Sequence, residues 1–224
     1  GTLTISDLTL EGDLDLLPGG NMHVNGDSFT VDGAVLINDS ASTTNSWVQF
    51  NGNAAVTGTG RFLLGGGGDD SQMFTNGTTV TFGPDQRLEG EGRLSGAWVH
   101  NGTVEPGLPI GSIVGNSGSF TFGDSAVFEV QTDGAGSGDR LDYNSGTVNV
   151  DGEVRVALSY VPAVNDEFVL VSAPNINGIF NSVAVTIGSL PTNIDVRLVY
   201  TSNEVLVKFV CIADIAEPFG VLDL

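Results

Sequence analysis

Few residues in this chain have side chains suited to covalent chemistry. There are two histidines, His23 and His100, one cysteine, Cys211, and seven Lys plus Arg against 27 Asp plus Glu. A hydrolase needs a nucleophile beside a base, paired carboxylates in a cleft, or a metal cluster. The histidines stand far apart in turn-rich β contexts, where a surface or turn position is the plain reading. Lys208 is the one basic residue near Cys211, which favours burial or an intermolecular link over a nucleophilic thiolate. No catalytic or cofactor-binding residue is assigned, and the chain is read as a non-enzyme.

The carboxylates leave weaker options. Polysaccharide-active β-helix enzymes set clustered Asp beside basic residues that hold an acidic sugar, and seven basic residues do not furnish that complement. Asp69, Asp70, Asp85, Glu89 and Glu91 therefore read as solvated loop and rung charges. Calcium is the ion for which candidate carboxylates can be named. The tetraglycine Gly65 to Gly68 followed by Asp69 and Asp70 makes either a Ca²⁺ loop or an exposed turn, and Asp214, Glu217 and Asp223 are carboxylates without the spacing of an EF-hand loop. Trp47 and Trp98 are candidates for stacking on sugar rings, with core burial as the alternative. Sequons at Asn38, Asn76 and Asn101 fall in predicted turns able to carry a glycan, although Asn, Gly and Thr are common enough here to produce them by chance.

Composition narrows the class. A formal charge of −20 disfavours nucleic acid and anionic membrane partners. With 40% hydrophobic and only 15% charged residues the acidity belongs to a folded body, not a disordered tail. At 224 residues the chain can bury a continuous core without staples, and a single cysteine excludes an intrachain disulfide. No apolar run approaches the roughly 20 residues of a membrane span. Gly1 opens directly in strand-like sequence, which reads as a mature or trimmed chain.

The elements that must position these residues are strands. Gly at 32 positions, with abundant Asn, Asp, Ser and Thr, punctuates short β runs and leaves little helix-forming sequence. Residues 1–117 carry runs such as Leu3 to Ile5, Leu8 to Leu10 and Phe29 to Val31, which suit β-solenoid rungs or tight hairpins. Leu3 and Ile5 differ in parity from Leu8, Leu10, Leu14 and Leu16, so a corner, a bulge or a strand donated to a neighbouring subunit is expected near Ser6 and Asp7. Residues 118–210 show longer alternation, including Val154 to Tyr160, and read as an antiparallel β-sandwich ending in a hairpin around Thr201 to Asn203. The expected class is all-β, a solenoid-like half followed by a sandwich-like half, with a jelly roll throughout as the alternative. Residues 211–224 form a separate tail.

Residues 88–210 carry an ordered set of motifs: Leu88-Glu89-Gly90-Glu91-Gly92-Arg93-Leu94, then His100-Asn101-Gly102-Thr103-Val104-Glu105-Pro106-Gly107, Ile110 to Ile113, Asp139-Arg140-Leu141 and Asp166 to Val171. This stretch resembles autotransporter-type passenger proteins, and the tail from Cys211 to Leu224 resembles the opening of a dockerin-like segment. The first resemblance implies a secreted bacterial β-helix with a C-terminal β cap, an adhesive or scaffold role and no catalytic residues. The second implies attachment to another molecule through Ca²⁺. The resulting expectation is a non-catalytic extracellular structural protein, a homo-oligomer or filament joined by β edges through Leu3, Ile5, Leu8 and Leu10. A monomeric glycan- or calcium-binding adhesive module is the alternative, ahead of a polysaccharide-active enzyme.

Overall fold

Alternating apolar and polar residues bounded by Gly, Asn and Asp form strands of 3 to 12 residues. The computed structural model describes residues 1–38, 42–66, 70–107 and 109–213. The first turn contains β1 (Thr2–Ile5), β2 (Leu8–Leu10) and β3 (Leu14–Leu16), and the second β4 (Asn21–Val24), β5 (Ser28–Val31) and β6 (Ala34–Ile37). The third holds β7 (Ser46–Phe50), β8 (Ala55–Thr57) and β9 (Arg61–Leu64). In the next three turns the first two strand positions merge, giving β10 (Ser71–Phe82) with β11 (Arg87–Gly90), β12 (Gly92–His100) with β13 (Thr103–Pro106), and β14 (Ser112–Phe122) with β15 (Val127–Thr132). Then come β16 (Arg140–Tyr143), β17 (Thr147–Val150) and β18 (Glu153–Leu158), followed by β19 (Glu167–Ser172), β20 (Asn175–Gly178) and β21 (Ser182–Ile187). A hairpin of β22 (Ile194–Tyr200) and β23 (Glu204–Cys211) closes the described chain.

Each strand pairs in parallel with its counterpart one turn later. One ladder runs β1-β4-β7-β10-β12-β14-β16-β19. A second joins β2, β5, β8, the distal halves of β10, β12 and β14, then β17 and β20. The third runs from β3 through β6, β9, β11, β13, β15 and β18 to β21. The all-β class therefore holds. Parallel pairing continues to Ile187, which corrects the antiparallel expectation as far as that residue, while the hairpin expected around Thr201 to Asn203 is present between β22 and β23. Antiparallel pairing between named strands occurs only where β23 meets β19 and β22. The division expected at 117/118 falls inside β14, whose two halves pair with β12 on one side and with β16 and β17 on the other.

Register makes the interior. In-register parallel stacking puts like positions about 4.8 Å apart along a column. One inward column runs Leu8, Phe29, Val56, Phe82, His100, Phe122. A facing column runs Leu14, Val35, Phe62, Leu88, Val104, Phe128, Val154, Val183. Phe62 sits where the two meet, edge-on to Phe82 with ring centroids 5.3 Å apart and to Phe29 at 6.2 Å. One corner shows why glycine recurs: Gly118 has φ +94, and a Cβ there would lie 2.0 Å from the Gly96 carbonyl oxygen. The main chains of adjacent turns touch at this corner, so no side chain fits.

His100 lies in the core, not at the surface or in a turn. Its ring stacks on Phe82 at 4.9 Å and on Phe120 at 6.4 Å. Nδ1 accepts the Gly102 N–H at 3.2 Å, while Nε2 is buried with no partner. Burial lowers its pKa from 6.5 to about 3, so the folded chain holds the imidazole neutral.

Two predictions follow from this packing. Phe62→Ala removes a ring touched from three turns and should lower stability by about 3–5 kcal/mol in urea denaturation. A loss below about 1 kcal/mol would show that the interior collapses around the gap. Because His100 has a depressed folded pKa, its stabilising share is present above the unfolded value and lost as pH falls from 6.5 towards 3. Between pH 7 and pH 4 that loss amounts to about 3 kcal/mol, and His100→Leu should remove it. Identical wild-type and variant pH profiles would refute the assignment.

Candidate functional site

The outward face of the third ladder carries the densest charge. Glu89 is in register with Glu105, and Glu129 with Arg155. Glu89, Glu105 and Glu129 thus stand on consecutive strands at a spacing that would repel. Arg87 bridges all three, with Nε 2.6 Å from Glu89 and Nη2 2.5 Å from Glu105 and 3.2 Å from Glu129. Arg61 adds a contact to Glu89 at 3.2 Å, and Arg155 pairs with Glu153 at 3.0 Å. Arg140 pairs with Asp142 at 2.6 Å and Lys208 with Glu167 at 3.6 Å, so five of the chain's seven basic residues are paired with carboxylates. This face is a bridged ion ladder.

A second acidic group lies at the junction of three turns. Asp139, just before β16, is fully enclosed. Its Oδ1 accepts the Gly111 N–H at 2.9 Å and its Oδ2 the Gln131 N–H at 2.7 Å. The Gln131 amide continues to Glu105 at 3.3 Å. Burial pushes the Asp139 pKa up to about 7, against the two N–H donors, with Glu105 and Glu91 adding repulsion. Beside it a cleft of about 520 Å³ is lined by Ser112, Arg140, Glu167, Phe168 and Leu206. Sequence reasoning noted Asp139 only as part of a motif. Its burial has no local signal, because it arises from the Gly111 loop folding over it.

The candidate residues do not converge. Trp98 is enclosed, 2% exposed, with its ring edge-on to Phe50 at 5.8 Å, so it offers no face to a sugar. Trp47 is half-buried and faces outward. His23 lies perpendicular to it at 4.9 Å (87°) and Phe74 tilts at 44° and 5.1 Å. These planes pack against one another and do not line up as a sugar platform. Asn38 is wholly buried and its amide donates to the carbonyls of Ser42, Thr44 and Asp70, so an Asn38 glycan has no room in the folded chain. The Asn101 amide donates to the Phe82 carbonyl at 2.9 Å. Asn76 alone of the three sequon asparagines is exposed.

Asp69, Asp214, Glu217 and Asp223 lie outside the described residues. The Asp70 carbonyl accepts the Ser46 N–H at 2.8 Å, tying it to the β7 edge. Among the described residues no group of three or more His, Cys, Asp or Glu side chains could hold a metal ion. No helix among them is long and apolar enough to cross a membrane.

Leu3, Ile5, Leu8 and Leu10 all lie on inward columns, covered on one side by Met22, Val24, Phe29 and Val31. The parity change near Ser6 is a corner, with Asp7 at φ 47. β1 and β2 pair within the chain, with β4 and β5. Their other edges carry no partner among the described strands, and neither does that of β3. There Leu3 is 41%, Leu8 37% and Leu17 64% exposed. The apolar surface and the row of unpaired N–H and C=O groups coincide.

No family model matches the chain, and no curated protein matches it.

The Asp139 geometry yields a pH prediction of opposite sign to that of His100. A raised folded pKa contributes stability that is full below 3.8 and lost as pH rises through about 7. The Asp139→Asn variant, which cannot ionise, should lose this decline between about pH 4 and 7 in denaturation midpoints. Since the two residues oppose each other between 3.8 and 6.5, variant-minus-wild-type profiles are the readout. A slope unchanged by Asp139→Asn would place the titration elsewhere.

Proposed function

We propose that this chain is a non-catalytic extracellular structural protein, a subunit of a surface fibre or layer that associates with further copies of itself through β-strand edges. The supporting observation is the first turn, where three edges without a partner among the described strands surround core leucines that the next turn covers on one face. An exposed edge beside apolar surface is a template for another strand. The scarcity of nucleophile-base pairs and the commitment of most basic residues to carboxylates favour a scaffold over a polysaccharide-active enzyme. The resemblance of residues 88–210 to autotransporter-type passengers agrees with export and a surface role. Net charge of −20 would keep lateral contacts between such subunits from collapsing.

The test is light scattering with electron microscopy of the purified chain at neutral pH, with and without Ca²⁺, beside the double variant Leu3→Lys, Leu8→Lys. Both positions are partly exposed, so the body should keep its circular dichroism and thermal midpoint within a few degrees. Regular oligomers or filaments lost in the variant are the expected result. A wild-type chain that stays monomeric overturns the proposal and directs attention to the adhesive alternative.

A further inference from the structure

The sequence contains five Asn-Gly pairs, at Asn25, Asn51, Asn76, Asn101 and Asn177. An Asn followed by Gly can react with its own main chain. The nitrogen of the following residue attacks Asn Cγ, a C–N bond forms, the C–Nδ2 bond breaks and ammonia leaves. Water then opens the resulting five-membered imide at either carbonyl, giving Asp or isoaspartate. The step needs no oxidant or partner. It does need a side-chain amide not held by neighbours and a following glycine free to turn its nitrogen towards Cγ.

Four of the five pairs lack that freedom. Asn51 donates to Asn25 Oδ1 at 2.7 Å and accepts from Gln49 at 2.6 Å, so the two amides hold each other. Gly26 is buried, its Cβ position 2.5 Å from Asp7 Oδ1, and that of Gly52 lies 3.3 Å from the Gly26 carbonyl. At the fourth pair the Asn101 amide is bonded to Phe82, and Gly102 is buried with its N–H given to His100. Asn177 bonds Asn149 at 3.1 Å, and Gly178 is in ladder register with Val150, whose carbonyl lies 2.3 Å from its Cβ position.

Asn76 differs on each count. It and Gly77 are both exposed, and they sit in the register break between Phe74 and Thr79, outside the β10 pairing with β12. The amide's contact is a 3.5 Å approach to Asn51 Oδ1. Gly77 has φ +73 and nothing within 4 Å of its Cβ position. We infer that Asn76 is a site of spontaneous deamidation, a modification that the fold confines to this one Asn-Gly pair. The product adds one negative charge at the corner and removes the only exposed sequon asparagine.

The test is peptide mapping of the folded chain after incubation at mildly alkaline pH and 37 °C, with isoaspartate detected by enzymatic methylation. A sample held in denaturant runs in parallel. In the folded chain the Asn76 peptide should gain about 1 Da several-fold faster than the other four, whereas in denaturant all five should react at comparable rates. Asn76→Gln should remove most of the folded-state signal. Equal rates in the folded chain, or a faster reaction at any other pair, would overturn the assignment.

Discussion

The structure rests on the in-register parallel ladder. Once two adjacent turns share register, each inward side chain must lie on its counterpart, and the interior becomes a set of columns. The column Leu8, Phe29, Val56, Phe82, His100, Phe122 shows both sides of that rule. Aromatic rings stack well at strand spacing, so the column gains from Phe at several levels. A polar ring is carried along, since His100 has no route out of its column and leaves Nε2 without a partner. Outward columns obey the same spacing under the opposite chemistry. Carboxylates at Glu89, Glu105 and Glu129 would repel, and Arg87 stands within reach of all three.

The strands were legible in the sequence because alternation and Gly, Asn and Asp punctuation are local signals. Their partners were not. Val154, Val156 and Leu158 alternate as they would in a sandwich, and nothing in that pattern separates a neighbour running parallel from one running antiparallel. A single repeat period is not legible in the sequence for a related reason. The third ladder advances 21 residues from Leu14 to Val35, 26 from Arg61 to Arg87, 16 from Arg87 to Thr103 and 29 from Glu153 to Ser182. The columns are regular while the corners are not, and a search for one period sees the corners.

Individual residues divide along the same line. Leu3, Ile5, Leu8 and Leu10 read as β-edge residues from sequence, and the corner at Asp7 reconciles their conflicting parity. Trp98 and Trp47 look alike as isolated tryptophans, yet one faces the interior and the other packs outside against His23 and Phe74. Asn38 and Asn76 share a sequon and differ in whether a neighbouring turn supplies carbonyls to their amide. Each distinction depends on what lies one turn above or below, 16 to 29 residues away in the third ladder.

The irregular corners have a consequence for how such a chain can change over time. Because ladders fix the pitch and corners only join them, a segment can lengthen or shorten at a corner without disturbing the columns on either side. The connections from the third ladder back to the first run from one residue between β11 and β12 to eight between β18 and β19. An outline assembled this way can acquire new protrusions one at a time, each tried on a body whose interior does not need to be rebuilt.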